Sequence, residues 1–305
     1  MVMQLQQLRY FLAVAESRHF TQAAEAVGVT QPTLSKQIHT LESDLGAALF
    51  HRNRGAITLT EAGEALLPLA QRIVADAETA RHEIGDLIGL RTGRLRLGAT
   101  PSLCTSLVAE TLKLFRDAHP DIRLQVEEGG SQDLVRALTG GYLDLALIIL
   151  PESGTDPALH TEPLLTESLV VASASPLHHR EMRITDLRHQ DLVMFRPGYD
   201  LRDATLEACA KAGFTPTFAV EGGEMDAVLG FVEVGLGVAL VPRMVLAGRP
   251  RLHATPLAAP GVPRTVALAR RRDVEPSHAA KAFQDILLGY LGGPTLNLHL
   301  TSSST

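Results

Sequence analysis

The sequence predicts an α+β chain in two parts, a mostly helical N-terminal domain and a C-terminal α/β module of two lobes, joined by one long helix. Three observations carry this prediction. Between Phe20 and Leu45, apolar residues recur at helical spacing on both sides of a single glycine turn. From Thr60 to about Leu90 one periodic run continues with a seam of Leu, Ile and Ala. From Gly93 onward, short apolar strand-like pieces alternate with amphipathic helices, twice over, which argues for parallel βαβ units. A chain of 305 residues, 45% hydrophobic and 20% charged, is long enough for about two globular domains with real cores.

The elements follow in order. Leu5, Leu8, Leu12 and Ala15 mark an amphipathic first helix that packs under the next two as a three-helix core. Thr21 serves as an N-cap or first-turn residue for the Ala-rich run Gln22 to Val27, and Gly28 supplies the left-handed residue that ends it. Thr30 is the next N-cap candidate. Pro32 is tolerated in the first turn, and Leu34, Ile38, Leu41 and Leu45 form the buried face of the helix that follows. Its other face presents Gln31, Thr33, Ser35, Lys36, Gln37 and His39, donors and acceptors of the kind that read base edges in a major groove. The geometry is that of a helix-turn-helix, whose second helix is the reader. Spacing alone leaves an ordinary helical hairpin with a solvated face equally open.

After Gly46, the pieces LFH and AITL flank Arg52, Asn53, Arg54 and Gly55, a hairpin with a basic tip suited to phosphate or minor-groove contact; a plain charged turn is the alternative. Thr60 then caps the long run, whose seam is Leu66, Leu69, Ile73, Ala77, Ala80, Ile84 and Leu87. Pro68 lies inside it, so a bend or early break is expected there, at roughly 3 kcal/mol unless packing compensates. A helix packed on its own domain is the other reading of this run.

The stretch Leu5 to Thr60 resembles the DNA-binding domain of LysR-type transcriptional regulators. The markers are LRYFLAVAE, the F-T-x-A-A-E pair, the V-T-Q-P-T-L-S turn, the I-x-x-L-E-x-x-L-G run, and an L-F-x-R wing ending in L-T-x-A-G. The likeness extends more loosely to about residue 290. It implies a winged helix-turn-helix over 1–60, a dimerising linker helix over 61–91, and an effector-binding domain over 92–305. That domain would be periplasmic-binding-protein-like, with lobe one at 93–163 plus 267–292 and lobe two at 164–266. The implied partners are double-stranded promoter DNA carrying an inverted repeat, a small-molecule effector, and further copies of the chain, as dimers pairing into a tetramer; RNA polymerase is a further candidate. In this frame Gln31, Thr33 and Ser35 would read bases, with Pro32 in the same turn, while Thr21, Lys36, Arg52 and Arg54 would contact phosphate.

In an α/β module the ligand cleft lies at the carboxyl ends of the strands, where helix N-termini point. Thr100 and Ser102 follow the first strand and Ser131 the second, each beside free backbone donors that suit a carboxylate effector. Plain N-capping is the alternative role for each hydroxyl. Phe195, Pro197 and Tyr199 sit on the matching loop of lobe two. Glu221 and Glu224 fit an anionic ligand only if Arg196 or Arg202 offsets them.

The remaining observations bound the function. GYDLRDATLEACAKAG resembles the redox segment of peroxide-sensing relatives, but Asp200 stands where those carry the reactive cysteine, and Cys209 matches the partner cysteine alone. Cys104 near the cleft is the other route to a thiol sensor; buried apolar cysteine is the default. The net charge of −6 gives no bulk attraction to nucleic acid. In residues 1–60, Arg9, Arg18, Lys36, Arg52 and Arg54 face Glu16, Glu25, Glu42 and Asp44, so any positive field comes from placement. No run approaches the ~18 apolar residues of a membrane span, and the start lacks a signal-like pattern, so a cytoplasmic protein without membrane partners is expected. No His-x-x-x-His, Cys-x-x-Cys, Gly-x-Ser-x-Gly or Walker spacing is present, so no metal, cofactor, catalytic residue or enzyme activity is expected. A ligand-binding sensor without sequence-specific DNA binding remains the alternative. The tail Gly292 to Thr305 carries little periodic signal and is expected to fray.

Overall fold

In the computed structural model, residues 3–53, 56–87, 93–151, 154–177 and 180–293 are described. They fall into two compact units, Met1–Leu90 with Ala137–Tyr142, and Arg91–Arg136 with Leu143–Thr305. Arg54, the end of the linker run and most of the C-terminal tail lie outside the described residues.

The first unit comprises α1 (Leu5–Ser17), α2 (Phe20–Ala26), α3 (Gln31–Leu45), the antiparallel hairpin β1 (Phe50–Asn53) and β2 (Ala56–Leu59), and α4 (Glu61–Leu87). Its core is Leu8, Phe11, Val14, Ala23, Ala24, Leu34, Ile38, Leu41, Leu49, Phe50 and Ala70. The buried stripe of α1 is therefore Leu8, Phe11 and Val14, while Leu12 and Ala15 pack at its flank. Phe11 decides this, because its ring meets Phe50 at 5.3 Å and fixes the rotation of the helix. His19, not Thr21, caps α2, its Nδ1 accepting from the amides of Thr21 and Gln22. Leu45 departs from expectation and is exposed, lying in the last turn before left-handed Gly46.

Thr60 docks α4 on the hairpin: its hydroxyl donates to the Ala48 carbonyl at 2.6 Å and accepts the Gly63 amide at 3.1 Å. A Cβ at Gly63 would collide with the Leu49 carbonyl, so only glycine lets the backbones approach here. The expected break at Pro68 is absent and α4 is continuous. Pro68 is exposed, and Leu66, Leu67, Ala70 and Val74 hold the helix against the core on both sides of it. Leu66 thus faces the unit's own core, whereas Leu69, Ile73 and Ile84 are exposed.

The second unit runs β3 (Arg94–Ala99), α5 (Pro101–Leu103), a π turn (Cys104–Val108), α6 (Ala109–Ala118), β4 (Arg123–Glu128), the residues of α7 (Ser131–Thr139) up to Arg136, β5 (Leu145–Leu150) and β6 (Leu159–Ser173). It continues with β7 (Leu192–Phe195), α8 (Asp200–Lys211), β8 (Phe218–Gly223), α9 (Met225–Glu233), β9 (Ala239–Pro242), β10 (His253–Pro256), β11 (Pro263–Arg271) and α10 (His278–Leu291). β3 pairs in parallel with β4 and β5, and β7 with β8. The sheet as a whole is mixed rather than parallel. β6 and β11 form a long antiparallel pair, Pro263 opposite Ser168 through Arg271 opposite Leu159, with β9 and β10 on the far end of β6. β6 pairs with β11 along Leu159–Ser168 and with β9 and β10 along Leu169–Ser173, so a reading in parallel βαβ units misses this long antiparallel strand.

Candidate DNA-reading face and effector cavity

On α3, burial of Leu34, Ile38 and Leu41 forces the opposite side outward. Gln31, Pro32, Thr33, Lys36 and His39 are exposed and Ser35 is half-buried. Thr30 has capping backbone geometry, yet its hydroxyl meets that of Thr33 at 2.8 Å instead of an amide. The Gln31 amide nitrogen donates to the Ser35 hydroxyl at 2.9 Å, so the two side chains are held together on one turn. Gln37 departs from this face: its Oε1 accepts from Nε2 of buried Gln7 at 3.4 Å, which ties α3 to α1. Thr21 is exposed in the first turn of α2. Arg52 lies in β1 opposite Ile57.

In the second unit, Thr100 and Ser102 are buried, and their hydroxyls lie 3.4 Å apart. Ser102 accepts from Nη1 of Arg264 at 3.0 Å, and Arg264 pairs with Glu167 at 2.7 and 3.0 Å across β11 and β6. Glu167 Oε2 is buried without a partner. Phe195 is buried and stacked on Tyr199 at 4.7 Å; the Tyr199 hydroxyl is also buried and unpartnered, and Pro197 is exposed. Burial, with Glu128 and Glu224 nearby, holds the Tyr199 phenol well above its ordinary range. The acids flagged by sequence are offset as required: Arg196 meets Glu224 at 2.7 Å and Arg202 meets Glu221 at 2.9 Å.

One cavity opens away from most of these residues. A cavity of about 780 Å³ is lined by Ser131, Ile149, Leu150, Pro151, Asp200, Ala204, Ala208, Val262, Pro263 and Arg264, among others. Of the effector residues expected from sequence, Ser131 alone lines it; Thr100, Ser102, Phe195, Pro197 and Tyr199 do not. At its edge the amide and hydroxyl of Ser131 donate to Asp200 Oδ2 at 3.3 and 2.7 Å, while the same hydroxyl accepts from the Ile149 amide at 3.0 Å. Beside it, a Cβ at Gly130 would meet the Gly198 carbonyl at 2.9 Å, so the two loops touch. Burial raises the Asp200 carboxyl above its ordinary value, opposed by the Ser131 hydrogen bonds and by Arg264.

Asp200, Ile149, Ala204 and Arg264 were not singled out by sequence as effector residues. The available signals were the apolar end of LALIIL and the alanines at 204, 208 and 212, a small-residue face on α8. Cys104 donates weakly to the Ala99 carbonyl at 3.6 Å, and burial followed by Glu128 pushes its thiol up to about 12. Burial pushes Cys209 up to about 11. Among the described residues, no cluster of His, Cys, Asp and Glu is placed to hold a metal, and no helix is long and apolar enough to cross a membrane.

A helix-turn-helix with an exposed polar second helix, followed by a hairpin, a long helix and a cavity-bearing α/β module, defines a transcription regulator with a ligand-binding domain. Residues 5–64 match the bacterial regulatory helix-turn-helix protein, lysR family, and residues 89–292 match the LysR substrate binding domain. The chain belongs to the LysR family of transcriptional regulators. It is 30% identical over 296 residues to the transcriptional dual regulator GltC of Bacillus subtilis, covering 94% of this chain and 97% of that one. A probable hydrogen peroxide-inducible genes activator of Streptomyces viridosporus is 35% identical over 277 residues, 88% of each chain. Among solved structures, a full-length OxyR variant from Pseudomonas aeruginosa superposes with a TM-score of 0.73 at 27% identity, covering 100% of both chains. CbnR in complex with its target DNA shares the fold, with a TM-score of 0.67 at 24% identity over 93% of this chain and 99% of that one.

Proposed function

We propose that this protein is a cytoplasmic LysR-type regulator that binds an inverted-repeat promoter site and changes its arrangement on DNA when a small molecule fills the cavity beside Ser131 and Asp200. The observation that carries the reading is the α3 face, where Gln31, Thr33, Ser35 and Lys36 stand opposite buried Leu34, Ile38 and Leu41. Ser35 and Gln31 read base edges with Thr33, while Lys36, Thr21, Arg52 and Arg54 bind phosphate. Residues 1–60 form the DNA-binding domain, 61–91 the dimerising helix and 92–305 the effector domain. The exposed Leu69, Ile73 and Ile84 of α4 form the seam between two copies, and dimers pair into a tetramer that can contact RNA polymerase. Response follows by linkage: the effector binds one arrangement of the lobes better than the other, and DNA does the same.

The carboxylate effector expected from sequence relied on hydroxyls beside free backbone donors at Thr100, Ser102 and Ser131; in the structure the amide and hydroxyl of Ser131 donate to Asp200, while the Ser102 hydroxyl accepts from Arg264. The thiol-based alternative finds no ready nucleophile, since both cysteines are held protonated by burial. The test is fluorescence anisotropy with the DNA upstream of the protein's own gene and a scrambled duplex across a salt series. Sequence-selective binding with a steep salt slope supports the reading. Equal affinity for both duplexes at every salt concentration, on this and on selected random sequences, would sink it.

A further inference from the structure

We propose that the cavity takes an amphipathic cation, an apolar body bearing an ammonium group, and that Asp200 sets this preference. The inference rests on the reading of the cavity as the effector site. The place where an anionic ligand would sit, the first turn of α7, is already filled: the Asp200 carboxylate accepts both the amide and the hydroxyl of Ser131. The cations on the cavity wall are each matched by an acid. Arg136 pairs with Asp133, Lys211 with Glu207 at 2.8 Å, and Arg264 with Glu167 at 2.7 Å.

Apart from Glu207, the acids on the wall are not matched in the same way. Asp156 and Asp203 make no ion pair among the described residues, and Asp200 is hydrogen-bonded to Ser131. Arg264 is committed to Glu167, whose second oxygen is a buried acceptor with no partner, so the guanidinium is not a free cation for an anionic ligand. The lining carries four acids, Asp156, Asp200, Asp203 and Glu207, against three cations, Arg136, Lys211 and Arg264, a formal excess of one negative charge. A carboxylate entering it must displace Asp200 or come to rest beside a like charge in a partly desolvated space, whereas an ammonium pairs with Asp200 and Asp203. Ile149, Leu150, Pro151 and Val262 supply the apolar wall, and about 780 Å³ suits a small-molecule ligand.

The test uses the full-length protein and a matched pair of probes, phenethylamine and phenylacetate, with saturation-transfer NMR and calorimetry. Wild type should bind phenethylamine about tenfold or more tightly than phenylacetate, a difference of about 1.4 kcal/mol. Asp200→Ala, which frees the Ser131 donors, should reverse the order. Asp200→Asn keeps the shape and an acceptor but removes the charge, and should abolish the preference. Ala204→Phe, which fills the cavity, should remove binding of both probes. Phenylacetate binding as tight or tighter in wild type, and lost in Ala204→Phe, would overturn the cationic class while leaving the cavity as the effector site. Binding of neither probe, or binding indifferent to Ala204→Phe, would overturn the cavity reading and this proposal with it. An unchanged preference in the folded Asp200→Asn protein would remove Asp200 from its role.

Discussion

Arg264→Leu tests how the two long strands of the effector module are held together. In the folded protein the Arg264 and Glu167 side chains are 5% and 4% exposed, and the guanidinium donates twice to one Glu167 oxygen. The other oxygen of Glu167 has no partner, so removing Arg264 leaves a buried carboxylate with no compensating group. Breaking a buried pair from one side costs ~3–5 kcal/mol. Loss of the Arg264 donor to Ser102 at 3.0 Å adds about 1 kcal/mol. For a unit of this size, each kcal/mol lowers Tm by roughly 2–4 °C, so a drop on the order of 10 °C in the transition of the effector module is expected. Circular dichroism melts of wild type, Arg264→Leu and the double variant with Glu167→Leu provide the measurement. The double variant, which replaces both charges with packed methyls, should recover most of the loss. A single variant within ~0.5 kcal/mol of wild type, or a double variant worse than the single, would refute the reasoning that an orphaned charge is the source of the effect.

Four further outcomes follow from the same geometry. Ser35→Ala should cost ~1–3 kcal/mol at one base step and relax preference there, whereas Lys36→Ala should weaken all sequences alike and lower the salt slope by about one; anisotropy on single-base variants separates the two. Ile73→Glu places a charge in the exposed seam of α4 and should shift sedimentation toward monomer without unfolding the first unit. Burial raises the Asp200 pKa above 3.8, so the native state binds that proton more readily than the unfolded chain. The penalty is absent below about 3.8, grows as pH rises through the window up to the raised value, and is then constant; denaturation of Asp200→Asn against wild type should show the variant gaining relative stability across that window. With Cys104 pushed up to about 12 and Cys209 to about 11, thiol reagents at pH 7.5 should react slowly with the native protein, and peroxide should leave its DNA affinity unchanged.

The parts legible in the sequence are those governed by local rules. Gly28 and Gly46 are left-handed, with φ of 69° and 70°, at the two helix ends where chain chemistry demands glycine. Leu34, Ile38 and Leu41 are buried at the spacing that sets the α3 face. At Pro68 propensity argued for a bend or an early break; packing of Leu66, Leu67, Ala70 and Val74 keeps the helix unbroken there. Gln37 read as one more polar group on an outward face until Gln7, thirty residues away in the chain, turned it inward.

The hydrogen-bond partners of the cleft hydroxyls were the hardest to read from sequence, for a reason that can be stated from the residues. Serine and threonine after a strand end look alike whether they cap, pair internally or face a ligand, and the partner that decides lies far off in sequence. For Ser102 that partner is Arg264, and for Ser131 it is Asp200. Strand direction had the same difficulty, since β6 and β11 pair residues such as Glu167 and Arg264 that periodicity treats as unrelated.

The sequence by itself determined the two helices about the Gly28 turn, the long helix after them and the alternation of strands and helices, because periodicity and turn chemistry act over a few residues. Only the tertiary structure decided which hydroxyls remained free, where the cavity opened and which charge stood in it. Those depend on groups brought together from distant positions, and on the burial that makes an unpaired charge costly.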